Sequence, residues 1–122
     1  VGNQIGESFP RQARLTRTRE YQQIFNNNNR VGDAAITILV GNALGAGPRI
    51  GFAIARKQIQ KAVTRNRLKR IFRESFRKNQ HRLPARDMVI MVRRQIMLID
   101  SAQLNESLEK HWNSVITQCE NS

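Results

Sequence analysis

The chain has 122 residues, which suits one compact domain built around a single hydrophobic core. Its 21 Lys and Arg against 9 Asp and Glu leave a net charge of +12, a self-repelling field of the kind kept to meet a polyanion. No apolar run approaches the length of a membrane span, and the single cysteine, Cys119, excludes an intrachain disulfide and any cysteine-cluster metal site.

Residues 1–13, with Gly2, Gly6 and Pro10 among scattered polar residues, read as a loosely ordered arm of one domain spanning 1–122. They lack the charged, apolar and small-residue succession of a secretory signal, so a cytoplasmic protein is expected. Thr16 or Thr18 can cap a short helix running to about Phe25. The run Asn26 to Asn29 should end it, because Asn competes for the backbone and tolerates turn geometry. Ala34 to Val40 is rich in β-branched residues and predicts a strand. Gly41 to Pro48 reads as a turn or hairpin loop, and Ile50 to Arg56 as a second strand. Lys57 to Ala62 connects to a long helix over roughly Val63 to Gln80. Leu83-Pro84 breaks the chain before a third strand, about Asp87 to Arg94. Ser101 can cap a last amphipathic helix to about Gln118. The order helix, two strands, helix, strand, helix predicts an α/β two-layer sandwich, helices against a small sheet.

Charge is concentrated in the middle of the chain. From Arg49 to Arg94 there are 15 basic residues, opposed only by Glu74 and Asp87. A solvated surface more often mixes the signs. A membrane surface is the competing polyanion, but nucleic acid fits better. On a helical wheel of the long helix, Leu68, Ile71, Phe72, Ser75 and Phe76 share one face, which should be buried. Asn66, Lys69, Arg70, Arg73 and Arg77 join Arg65 in a basic stripe, with Arg67, Glu74 and Lys78 in the remaining sector. Like charges spaced four apart, as at Arg65, Lys69, Arg73 and Arg77, destabilise a helix. An anionic partner would offset that cost, and the preference for Arg suits bidentate phosphate contact. The alternative is a solvated face whose long stems cover apolar edges.

Tyr21 and Phe25 stand four apart and so share a face of the first helix. They can stack on unpaired bases or simply be core, and for Phe25 core is at least as good a reading. The strand from Ile50 alternates Ile50, Phe52 and Ile54 with Gly51, Ala53 and Ala55. Its nearly bare face admits a helix or a nucleotide strand, with Arg56 and Lys57 at its end. The sequence shows no Ser-His-Asp arrangement, phosphate-cradling glycine loop or paired catalytic carboxylates. His81 and His111 lie far apart without a ligand pattern, so no protein-bound metal and no catalytic residue of the protein are expected.

Phe9-Pro10-Arg11, Arg14-Leu15, the helix with Tyr21 and Phe25, Pro48-Arg49-Ile50-Gly51 and, most strongly, Arg65-Asn66-Arg67-Leu68-Lys69-Arg70 followed by Arg73-Glu74-Ser75-Phe76-Arg77 resemble the bacterial ribonuclease P protein family. Leu83-Pro84 and Asp87-Met88-Val89-Ile90 fit too. The resemblance runs from about Phe9 to Ile116. It implies a ribosomal-protein-like fold with a left-handed crossover around the long helix, an exception to the usual hand. It implies a non-catalytic subunit of an endoribonuclease, in which a partner RNA with bound Mg²⁺ performs hydrolysis and matures the 5′ ends of tRNA. It further implies that Arg65, Asn66, Arg67, Lys69, Arg70 and Arg73 contact the catalytic RNA. Tyr21, Phe25, Arg56, Lys57 and Lys61 would hold the 5′ leader of precursor tRNA, without an obligate protein partner. Leu39 stands where some members carry an aromatic residue. Two other classes remain open: a structural protein binding folded ribosomal RNA, and a DNA-binding module placing the basic helix in a major groove.

Overall fold

In the computed structural model, which describes residues 14–15 and 18–120, three helices surround a four-stranded sheet. Helix α1 (Thr18–Asn26) is followed by strands β1 (Asn28–Gly32), β2 (Ile36–Leu44) and β3 (Arg49–Ala53). Helix α2 (Ala62–Asn79), a 3₁₀ turn (Gln80–Arg82) and strand β4 (Arg86–Val92) come next. A second 3₁₀ segment (Arg94–Leu98) leads into α3 (Ser101–Glu120). The sheet order is β1-β2-β4-β3, with β3 parallel to β4 and the other pairs antiparallel. Helix α2 therefore makes the long connection that a parallel pair requires. The expected arm at 1–13, Phe9-Pro10-Arg11 and Thr16 lie outside the described residues.

Several boundaries differ from expectation: β3 ends at Ala53, and α3 is capped by Asp100, whose Oδ1 accepts from the Gln103 amide at 2.8 Å, where Ser101 was expected to cap it. The asparagine run ends α1 as anticipated, since the Asn28 side chain donates to the carbonyls of Ile24 and Phe25 at 2.6 and 3.2 Å. Yet the same residues open an unforeseen strand. From Asn28↔Gly41 to Gly32↔Thr37, β1 pairs in register with β2, so ladder hydrogen bonds and burial of Val31 override the poor strand propensity of Asn. The strand expected over Ala34 to Val40 is also displaced, to β2. Asp33 Oδ1 accepts from the amides of Ala35 and Ile36 at 2.8 and 3.0 Å, a turn that excludes Ala34 and Ala35 from the strand. At its other end β2 continues through Gly41 to Leu44 along β4, with a register shift after Val40, leaving residues 45–48 as the loop.

Strand alternation divides the core between the two faces of the sheet. On one face Ile36, Ile38, Val40, Ile50, Met88, Ile90 and Val92 pack with Leu68, Phe72 and Phe76 of α2 and Leu104, Leu108, Trp112 and Val115 of α3. The buried side of α2 is the one its periodicity predicts. Ser75, the polar member, accepts a hydrogen bond from Trp112 Nε1 at 2.8 Å, so a buried hydroxyl and a buried indole satisfy each other. On the opposite face Leu39 and Val89 pack with Ile24 of α1 and with Leu15. This second cluster is the smaller of the two.

Asp33 also ties the β1–β2 turn to α3. Its Oδ2 lies 3.1 Å from His111 Nε2 and accepts from Ser107 Oγ at 3.3 Å, while Ser107 Oγ is 3.2 Å from the same nitrogen. A serine, a histidine and an aspartate thus meet, though the sequence shows no such pattern. Both oxygens converge on one ring nitrogen, so the serine–imidazole–carboxylate relay that activates a nucleophile does not form. Burial alone would push the Asp33 carboxyl up. The Ile36 and Ala35 amides, His111 and Ser107 outweigh it and hold the group below its ordinary value. A lowered carboxylate stabilises the fold above its unfolded pKa of about 4 and loses that contribution as pH falls through the folded value. Asp33→Asn keeps the turn acceptor but removes the charge. Its deficit in urea midpoint relative to wild type is expected at pH 6 and to shrink steadily towards pH 3. A deficit independent of pH would exclude the charge as its cause.

Candidate nucleic-acid interface

The first surface is the outer flank of α2. The helix starts without a side-chain cap, its Lys61 boundary residue being extended. Arg65 does part of that work from within, its Nη1 donating to the carbonyls of Ile59 and Gln60 at 2.9 and 2.8 Å. Beyond it, Asn66, Lys69, Arg70, Arg73, Glu74 and Arg77 line a shallow trough of about 380 Å³. Glu74 accepts a hydrogen bond from Arg77 that holds its carboxyl below the ordinary range, with Lys78 adding to the effect. The one acid of the trough is therefore spent on the last turn of α2. Arg73 lies with its guanidinium carbon 5.3 Å from the centroid of the Phe52 ring, which itself stacks on Phe72 at 6.1 Å. The aromatic base orients that cation. Asn66, Lys69 and Arg70 make no hydrogen bond or ion pair with the described residues, and neither does Arg67, which is exposed but does not line the trough. The predicted stripe exists as a continuous basic surface. Arg65 is its half-structural end, and Arg67 lies off it, in the sector where the helical wheel puts it.

The second surface is the face of the sheet that α1 only partly covers. Arg49 fixes α1 to it, with Nε and Nη2 donating to the two oxygens of Asp87 at 2.8 and 2.7 Å and Nη1 to Glu20 Oε2 at 2.7 Å. The hydrogen bonds to Asp87, assisted by Glu20, hold the guanidinium further above its already high ordinary pKa despite desolvation. Tyr21 adds a second tether, since its hydroxyl accepts from the Phe52 amide at 3.2 Å and donates to the Leu15 carbonyl at 3.3 Å. Glycine at 51 permits this. A Cβ there would sit 2.4 Å from the tyrosine oxygen.

The bare strip of β3 is therefore shared. Gly51 receives Tyr21 of the helix, whereas Ala53 stays half-buried and Ala55 exposed. Alternation places Thr37, Met91 and Ala53 on this same face, all half-buried. Ala53 and Met91 pack beside Tyr21 at the edge of the α1 cluster, so this strip, the groove, runs alongside α1, where Phe25 is 44% exposed, towards the exposed turn carrying Arg56 and Lys57. Phe25 is not core. Leu39 is buried beneath α1 at 1% exposure, so it offers no stacking surface.

Three further cations border the groove. Arg30 pairs directly with Leu39 across β1 and β2 and so shares that face; the strand that carries it was not foreseen. Arg93 is next in the alternation after Val89 and Met91, a signal present in the sequence. Arg94 donates from Nη2 to the Lys57 carbonyl at 3.2 Å, which brings the end of β4 beside the Arg56–Lys57 turn. Lys61 stands apart, lining a separate recess with Thr64, Arg94 and Met97. Among the described residues no group of three or more His, Cys, Asp or Glu could hold a metal ion, and no helix is long and apolar enough to cross a membrane.

Known proteins share this architecture and sequence. The Ribonuclease P family model matches residues 9–115. The ribonuclease P protein component of Methylococcus capsulatus is 43% identical over 117 residues, covering 96% of this chain and 91% of the relative. That of Edwardsiella ictaluri is 44% identical over 106 residues, with 86% and 88% covered. Among solved structures, the RNase P protein of Thermotoga maritima superposes with a TM-score of 0.70 at 28% identity, covering 85% of this chain and 96% of that one. The Staphylococcus aureus RNase P protein shares the fold, with a TM-score of 0.74 at 24% identity and 81% and 91% covered. The chain belongs to the ribonuclease P protein family.

Proposed function

We propose that this chain acts as the protein subunit of ribonuclease P, binding a catalytic RNA through α2 and the 5′ leader of precursor tRNA through the groove. The observation that carries the reading is the pairing of two basic surfaces of different shape. One is a basic helical stripe lining a shallow trough, suited to the phosphates of folded RNA. The other is a groove with a small-residue floor, an exposed aromatic ring and cationic ends, suited to an extended single strand. Arg65, Asn66, Arg67, Lys69, Arg70 and Arg73 take the first role. Phe25, Arg56 and Lys57 take the second, with Tyr21 fixing the α1 wall beside them and Lys61 at the junction between the two surfaces.

In this reading hydrolysis belongs to the RNA and its Mg²⁺. The protein positions the substrate and screens the repulsion between two polyanions brought together. Such a ribonucleoprotein works in the cytoplasm. The test is cleavage of precursor tRNA at low Mg²⁺ by the catalytic RNA with and without this protein. Faster cleavage with the protein is expected. No gain would favour a structural protein of the ribosomal type.

The groove separates its two aromatic residues by role. Phe25→Leu removes an exposed ring that touches little of the fold. It is expected to weaken binding of leader-bearing precursor about 5- to 150-fold, the worth of roughly one stacked base, while leaving mature tRNA unaffected. Tyr21→Phe removes only the hydroxyl bridging Leu15 and Phe52, so a lowered melting temperature is expected with it. Equal losses for precursor and mature tRNA in Phe25→Leu would remove the ring from the leader site.

A further inference from the structure

A third recess, of about 440 Å³, opens where the chain turns from β3 into α2. Gln58, Ile59, Gln60 and Lys61 form one wall, with Thr64, and Arg94 and Met97 form the other. Both walls are braced by arginine. Arg65 clasps the Ile59 and Gln60 carbonyls from α2. Opposite it, Arg94 donates from Nη2 to the Lys57 carbonyl, and its backbone amide donates to Gln58 Oε1 at 2.9 Å. A recess held open by such bonds needs little reordering to accept a ligand.

Its chemistry is composite. Lys61 and Arg94 are exposed cations, and Gln60 is an exposed amide with no side-chain hydrogen bond to the described residues. Gln58 keeps its amide nitrogen available, since only its oxygen is engaged. Met97 is 53% exposed and presents a flexible, polarisable thioether, and its neighbour Leu98 is 83% exposed. Cations suit a phosphate, carboxamides the hydrogen-bonding edge of a base, and an exposed thioether its face. An acidic peptide would use the cations alone.

We infer that this recess holds one unpaired nucleotide of the RNA assembly, its phosphate on Lys61 and Arg94 and its base against Met97 with Gln58 and Gln60 at the edge. The inference rests on the ribonucleoprotein reading above. It adds a discrete base-accepting site between the α2 trough and the groove. The nucleotide comes from the leader or from the catalytic RNA, and its chemistry is the same in both.

The test is Met97→benzoylphenylalanine in the assembled holoenzyme with precursor tRNA, irradiated and mapped by primer extension on each RNA. A crosslink to an unpaired leader nucleotide assigns the leader, and one to an unpaired nucleotide of the catalytic RNA assigns that partner. A companion variant, Gln60→Ala with Met97→Ser, changes no charge. It is expected to weaken assembly with that RNA about tenfold at an unchanged salt slope. No RNA crosslink, a crosslink confined to paired nucleotides, or an affinity within twofold of wild type each overturns the inference. The family reading fails separately, if the wild-type chain neither binds the catalytic RNA nor speeds cleavage.

Discussion

Replacing Arg67, Lys69 and Arg70 together by Ala is expected to reduce the slope of log affinity against log salt for the catalytic RNA by about 2 to 3. Each Lys or Arg that neutralises a phosphate releases counterions worth roughly 0.7–0.9 in that slope. These three are chosen because none makes a hydrogen bond or ion pair with the described residues, so their removal costs the fold little. The choice excludes Arg65, whose guanidinium holds the Ile59–Gln60 connection. Arg65→Ala would mix lost RNA contact with a loosened start of α2. The measurement is a salt titration of binding, with a thermal melt of the free protein as control. An unchanged slope with a native melt would remove this part of α2 from the interface. Arg77→Ala is the internal comparison. Its charge is already paired with Glu74, so its effect on the slope should be smaller.

The second large effect is expected at Arg49, which lies in neither RNA surface. Arg49→Met leaves Glu20 and Asp87, on α1 and β4, as two neighbouring carboxylates without their shared cation. Removing one partner of a buried ionic cluster costs about 3–5 kcal/mol. The three side chains here are 20–34% exposed, so solvent screening reduces the expected loss to about 1–3 kcal/mol. The functional consequence is larger than the stability figure suggests. Arg49 and Tyr21 set the position of α1 over the sheet, and α1 is one wall of the groove. Arg49→Met should therefore weaken leader-bearing precursor selectively while binding of the catalytic RNA through α2, on the opposite face, stays near wild type. Chemical denaturation and the two binding assays read these effects separately. Parallel loss in both assays would mean that the two surfaces are not independent.

Helix α2 was legible from the sequence because its signal is local. Leu68, Phe72 and Phe76 repeat at the helical period, and the same repetition that buries one side leaves Asn66, Lys69, Arg70 and Arg73 on the other. Strand β4 was legible for the same reason, as a short apolar run bounded by Pro84 and by Arg93 and Arg94. Strand β1 was not. Asn28 to Gly32 has one apolar residue and poor intrinsic preference for extended structure, and it becomes a strand only because β2 supplies a ladder in register. With β1 hidden, Arg30 could not be placed at the groove.

The sequence by itself determined the net charge, its concentration between Arg49 and Arg94, the amphipathic division of α2 and the near absence of acids to neutralise it. Those properties depend on composition and on spacing within one element. Only the tertiary structure decided which cations remain available. Arg49 is consumed by Glu20 and Asp87, Arg77 by Glu74, and half of Arg65 by two carbonyls. Each of these bonds, except that of Arg77, joins residues brought together by folding and not by helical spacing. It also decided that Tyr21 fills the space over Gly51 while Phe25 stays exposed. Two aromatic residues four apart on one helix look alike in sequence, and only the position of the sheet beneath them makes one a tether and the other a free surface.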